Sequence, residues 1–248
     1  MKTRYSLFRI VLLALLASPA AQAQMSPDLI MENYNSNISV ITNGIINKSM
    51  MDKAIERNNA GKNAGRGSAA TRPAASTSTA YTPTPALRQQ TVQTYVDRLK
   101  TSNPAGAQAI ASVFGPGKYD YSKTYREILD GTGLRENDAA DALACYMIMG
   151  WVVIHNVQDG KAITIPMAQG VRAQVAPLLA GNPQMRTRAA QVGEELKLQT
   201  VIVQGGWQAA IKEGKLAAYQ QGIGNLFKTQ YGMDMSQFKL TSQGFARK

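Results

Sequence analysis

From Ala142 to Ile154 the chain reads ALACYMIMGWVVI, with no charge, no proline and Gly150 as its single glycine. On a helix, Ala140, Leu143, Ala144, Met147, Ile148, Trp151 and Val152 recur at the spacing of one core-facing stripe. Ala142, Tyr146, Met149 and Val153 make the opposite side apolar as well. A helix that is apolar all round has to be covered on every side. These 13 residues are too few to cross a bilayer, which takes roughly 20. The stretch therefore predicts a buried central helix over residues 137–155, with the remaining helices packed around it.

Those helices are marked by caps and breakers. Thr84-Pro85 and Asn103-Pro104 each pair a capping side chain with a proline suited to a first helical turn. Behind them run the stripes Leu87, Val92, Tyr95, Val96, Leu99 and Ala107, Ile110, Ala111, Phe114, the second stopped by Gly115. Asp120 is placed to cap a helix carrying Tyr121, Tyr125, Ile128 and Leu129. Leu134 and Asn137 are expected to lead into the central helix as staple and cap. Ile165-Pro166 opens a helix ended by Gly181. Asn182-Pro183 opens a long one through Met185, Ala189, Val192 and Leu196 toward Ile211, with Gly205-Gly206 a candidate kink. Leu216, Tyr219, Ile223, Leu226 and Phe227 form a last helix closed by Gly232. Alternating strand patterns are nearly absent, and residues 233–245 read as a turn-rich tail. The fold class expected is all-α, an irregular bundle of about seven or eight helices.

The bundle does not use the whole chain. Residues 1–23 have the form of a cleavable secretory signal: Lys2, Arg4 and Arg9, a short apolar run, then Ala21-Gln22-Ala23. Residues 24–57 suggest a short N-terminal helical segment with Ile38, Ile41, Ile45, Ile46 and Met50 on one face. Residues 58–84 hold no Val, Ile, Leu, Met, Phe or Trp, so they bury too little to offset the entropy of ordering and read as a flexible Ala/Gly/Ser/Thr/Pro linker. Residues 85–248 form the main domain. The protein is thus expected to be exported, periplasmic or extracellular, with no membrane span.

The chemistry available is sparse. The net charge is +11, and +8 once the three basic residues of the acid-free leader are removed. That excess could attract anionic polymers. However, the basic residues are scattered without a run of three, and nucleic acid fits poorly with export. The single cysteine, Cys145, lies in the central helix and reads as a small buried hydrophobe. His155, the single histidine, sits at the far end of that helix, about 15 Å along the axis from Cys145, so the two cannot form a dyad on a continuous helix. One His and one Cys make a metal site improbable, and no phosphate loop or other cofactor motif survives inspection.

Among the acids, Asp138 and Asp141 sit in the first turns of the central helix, where the macrodipole favours them. Asp141 borders the apolar face and needs a partner. Glu194-Glu195 is the only adjacent acid pair, and its members diverge by about 100° on a helix. The group Asp120, Glu127, Asp130, Glu136 and Asp138 reads as a solvated acidic face. No catalytic residue is assigned; Asp141 and His155 are the candidates.

The stretch Gly133-Leu134, Asn137-Asp138-Ala139-Ala140-Asp141-Ala142-Leu143-Ala144 and then Trp151, with Gly232-Met233-Asp234 and Gly244-Phe245 further on, resembles a family of exported bacterial proteins of unknown function. The resemblance covers residues 81–248 and implies export and a helical domain, with no activity, ligand or catalytic residue to carry over. The function class favoured is a non-enzymatic helical interaction or accessory module, with residues 24–57 the candidate docking segment for a protein partner. Two alternatives stand beside it. One is an enzyme acting on a cell-wall polymer or small molecule through a single carboxylate near Asp141. The other is a binder of acidic polymers through a basic surface.

Overall fold

The computed structural model describes residues 52–56 and 78–248. The expected leader, most of the expected N-terminal helix and residues 57–77 lie outside the described residues. Within 78–248 the chain is mostly helical. It forms α1 (Pro85–Ser102), α2 (Pro104–Phe114), α3 (Tyr121–Leu129), α4 (Ala139–Ile154), α5 (Ile165–Ala180), α6 (Pro183–Thr187), α7 (Ala189–Lys212) and α8 (Leu216–Tyr231). A small antiparallel hairpin follows, β1 (Phe238–Thr241) and β2 (Gly244–Arg247), in register Phe238↔Arg247 through Thr241↔Gly244. No helix among the described residues is long and apolar enough to cross a membrane.

The caps work largely as the residue types dictate. Thr84 Oγ1 accepts from the Leu87 amide, Asn103 Oδ1 from Gly106 and Asp120 Oδ1 from Ser122. Gly232, at φ 65°, ends α8 in the left-handed conformation that a β-carbon disfavours. One expected cap is wrong: α4 begins two residues later than the spacing predicts, and Asp138, not Asn137, caps it. Asp138 Oδ1 accepts from both the Ala140 and Asp141 amides. A carboxylate satisfies two orphan donors there and adds charge at the positive end of the helix dipole.

Helix α4 is the axis of the bundle. All of its residues are buried except Trp151 and Ile154, which are half-buried. It is enclosed by α7, α5, α8 and the 3-10 turn Met235–Gln237. At Gly150 the Phe227 ring of α8 lies so close that a β-carbon would come within 2.2 Å of Cε2, and the same ring stacks on Tyr146 at a centroid distance of 5.3 Å. Helix α7 is a second axis. From Val192 to Val203 every residue is buried, including Glu194, Glu195, Lys197 and Gln199. Arg188 separates α6 from α7, so the long helix expected from Pro183 is two. Helix α7 then runs uninterrupted through Gly205-Gly206.

The hairpin corrects the turn-rich tail. Phe238 and Leu240 face inward while Lys239 is exposed. Four residues of alternation are too short a signal to read, and the Ser242-Gln243 connection lacks the Asn-Gly or Asp-Gly type of turn. Tertiary contacts define it instead. The Gln174 side chain of α5 pairs with Phe245 like a strand neighbour, accepting from its amide at 2.7 Å and donating to its carbonyl at 2.8 Å. Trp151 Nε1 donates to the Phe238 carbonyl at 2.9 Å. The helical residues 52–56 rest on the same domain: Ala54 and Ile55 join its core, and Asp52 pairs with Arg247 at 2.8 Å.

Gly150→Ala should lower stability by about 1–3 kcal/mol through overpacking against Phe227. The loss is expected even though alanine is favoured over glycine in a helix by about 1 kcal/mol. Denaturant unfolding monitored by circular dichroism measures it, and a neutral or stabilising result would mean that Phe227 does not pack as described.

Candidate functional site

Two polar clusters meet where residues 78–81 cross the start of α4. The first gathers Asp138 and Asp141, each 1 % exposed. Arg135 Nη2 donates to Asp138 Oδ2 at 2.6 Å and its Nε to Asp141 Oδ2 at 2.7 Å, while the Arg135 amide donates to Asp141 Oδ2 at 3.0 Å. Arg172 of α5 pairs with Asp141 from the other side. Thr79 Oγ1 donates to Asp138 Oδ1 at 2.7 Å. The Arg135 guanidinium is raised above its ordinary range, chiefly by its bond to Asp141. The acids of the Asn137-to-Ala144 motif therefore join the 134–138 loop, α4, α5 and residue 79 into one corner.

The second cluster lies deeper. Lys197 and Glu194 of α7 are each fully buried, 2.6 Å apart at Nζ and Oε1. Tyr81 donates to Glu194 Oε1 at 2.9 Å and Tyr121 of α3 to Oε2 at 2.6 Å. Burial first, and then the Glu194 carboxylate, hold both phenols far above their ordinary range, so they remain donors. Asn137, displaced from capping, accepts from Lys197 at 3.1 Å. The ammonium also lies over the Tyr81 and Tyr125 rings, 5.6 and 5.5 Å from their centroids. A lysine is almost never fully buried unless paired, and here one carboxylate, one amide and two aromatic faces surround it. Glu195 points elsewhere, to Arg98 of α1 at 2.8 Å. The divergence expected of the adjacent acids is what the structure places here.

The two candidate catalytic residues lie apart. Asp141 is enclosed by its arginines. His155 is the C-cap of α4 and half-buried, its ring stacked on Trp151 at 4.3 Å and its Nδ1 3.0 Å from the Trp151 carbonyl. That contact puts the proton of the neutral ring on Nδ1. Nε2 has no hydrogen-bond partner among the described residues. Helix α4 is continuous from Cys145 to His155, so the two do not meet. Burial pushes the Cys145 thiol up to about 12, far from the thiolate that nucleophilic chemistry needs. Of the supposed acidic face, Glu127 and Asp130 are exposed and Asp120 and Glu136 half-buried, but Asp138 belongs to the interior. No group of acids, His and Cys among the described residues is arranged to hold a metal ion.

A surface cavity of about 120 Å³ opens between α1 and the 115–120 loop, against Arg88, Gln89, Phe114, Lys118, Tyr119 and Tyr121. Its acid, Asp120, is engaged as the α3 cap and lies 3.4 Å from Arg88. Lys197 was missed by sequence reasoning because Glu194-Glu195-x-Lys197-x-Gln199 looks like a solvated helix face. The one signal was that Val192, Leu196, Leu198, Val201, Ile202 and Val203 do not fit a single stripe.

Burial lowers the His155 pKa below its ordinary 6.5, more than the Trp151 carbonyl raises it, and Lys248 lowers it further. Between the folded and unfolded pKa values the unfolded chain binds the extra proton, so stability falls as pH drops through 6.5. Glu195, raised by burial above 4.5, acts in the opposite sense, its folded form holding the proton longer as pH rises. His155→Gln should flatten the decline below about pH 6.5 in thermal melts across pH, and an unchanged profile would contradict the assignment. Asp141→Asn should cost about 1–3 kcal/mol in unfolding free energy. The larger penalty of a dry ion pair is not expected, because both arginines reach solvent.

The model of a family of unknown function (DUF6683) matches residues 1–247. The match takes in the first 80 residues, which the motif resemblance leaves outside. No curated protein matches the chain, and no solved structure does.

Proposed function

We propose that this chain, which belongs to that family of unknown function, is a non-enzymatic interaction module of an exported protein, and that it docks a protein partner. The observation that carries this reading is how the interior acids are used. Asp138, Asp141, Glu194 and Glu195 are each less than 5 % exposed, and each is engaged by a cation from another turn or helix. Carboxylates so committed are unsuited to general acid or base work, which needs a group within reach of a substrate proton.

Residues 24–57 remain the candidate docking segment. Its end, residues 52–56, is seated on the domain by Ala54 and Ile55, while Lys53 and Glu56 are exposed. A partner bound along the segment would thus be held beside the hairpin.

The test is photo-crosslinking in the exporting cell, with a photoreactive residue scanned through positions 24–57. A discrete adduct of reproducible mass is expected, retained in Asp141→Asn. Absence of an adduct from every position would remove the reading. So would a turnover that Asp141→Asn abolishes while circular dichroism shows the fold intact.

A further inference from the structure

Residues 78–81 are bound to the domain in the way a foreign peptide would be. The Tyr81 amide donates to the Asn137 carbonyl and the Ala139 amide to the Thr79 carbonyl, each at 3.0 Å, with Ala80 opposite Asp138 in an antiparallel bridge. Alternate side chains then reach separate acceptors, Thr79 on Asp138 and Tyr81 on Glu194. Backbone pairing for affinity with alternate side chains for specificity is the pattern of strand addition.

The recess under Tyr81 is built for an aromatic ring. A β-carbon at Gly193 would come 2.3 Å from Tyr81 Cε1, so α7 carries a glycine in its interior, at a helix cost of about 1 kcal/mol, where the ring lies. The floor supplies an acceptor for the phenol, Glu194, and a cation over the ring face, Lys197. Tyr81 itself is only half-buried, and Thr79, though 4 % exposed, is a polar residue held through its hydroxyl and its carbonyl. Their attachment therefore rests on a few hydrogen bonds and one ring, and the chain before them has the composition of a flexible linker.

We propose that the groove between residues 137–139 and the Gly193–Lys197 turn of α7 is a recognition site for an extended protein segment with a tyrosine two residues after a hydroxyl side chain, and that residues 78–81 occupy it in cis. This rests on the interaction reading above and names where and what the module recognises. The chain's own Thr79-Ala80-Tyr81 is a tethered competitor, which an external segment displaces by taking the same two backbone bonds, the Asp138 contact and the Glu194–Lys197 recess.

Two measurements on the full chain decide it. In the unmodified protein, residue-resolved hydrogen exchange should show the Tyr81 and Ala139 amides opening at least about 100-fold faster than Leu196, Leu198 and Val201 of α7. Exchange at the same rate as those core amides would mean that the strap leaves only on global unfolding, and would overturn the proposal. The second measurement is a titration with a labelled synthetic peptide, Ser-Thr-Ala-Tyr-Thr-Pro, copying residues 78–83. It should bind Tyr81→Ala at least about tenfold more tightly than the unmodified chain. Replacing the peptide tyrosine by phenylalanine should weaken that binding about tenfold, by losing a hydrogen bond to a charged acceptor. No binding to a folded Tyr81→Ala chain, or equal binding to both chains, would sink the groove. If adducts still form through residues 24–57 in that case, the interaction reading stands without this site. Should Tyr81→Ala fail to fold, the exchange measurement decides alone.

Discussion

Helix α4 can exist only where other chain covers it on every side, and most of the architecture follows from that demand. A face left open would expose Met147, Val152 or Tyr146 to water at about 25 cal/mol per Å². Helices α5, α7 and α8 and the turn before the hairpin supply the cover. Because α7 lies against α4 on one side and against α1 and α3 on others, it too becomes an interior element. Its polar residues must then find partners inside the protein, since an unpaired buried charge is far more costly than a buried methylene.

The pairing of those residues organises the corner at the start of α4. Glu194 and Lys197 neutralise each other, and Tyr81, Tyr121 and Asn137 complete their hydrogen bonds. Asp138 and Asp141 are answered by Arg135 and Arg172. Each cluster takes one member from residues 78–81, so the same four residues close both. A polar network so deep is stable only when its members are satisfied, and here two of the satisfying groups, Thr79 and Tyr81, come from a segment outside the helices.

Much of the fold was legible in particular residues. Thr84, Asn103 and Asp120 cap the helices they precede, because a short polar side chain before an apolar stripe has little else to do there. Gly232 marks a helix end because it takes up the left-handed conformation there, whereas Gly181 follows α5 in the ordinary right-handed region. The candidate site was legible only in part. The sequence marks Asp141 as an acid in need of a partner, yet Arg135 and Arg172 are 6 and 31 positions away, and their convergence depends on how the 134–138 loop and α5 lie against α4. Lys197 is legible only indirectly, through neighbouring apolar residues too widely spread for one stripe, because one i,i+3 acid–base pair looks the same on a wet surface as in a dry interior.

Residue types along the chain set the elements: an apolar run that demands enclosure, and caps and glycines that set helix limits. These are local properties, fixed by side-chain type and spacing along a few turns. It took the packed fold to make α7 interior, to cap α4 with Asp138 rather than Asn137, to pair residues 238–247 as strands under Gln174, and to close a charged recess with Tyr81. Each of these turns on which distant groups arrive at one place, where the surroundings, and not the residue alone, set the free energy of a charge or an unpaired amide.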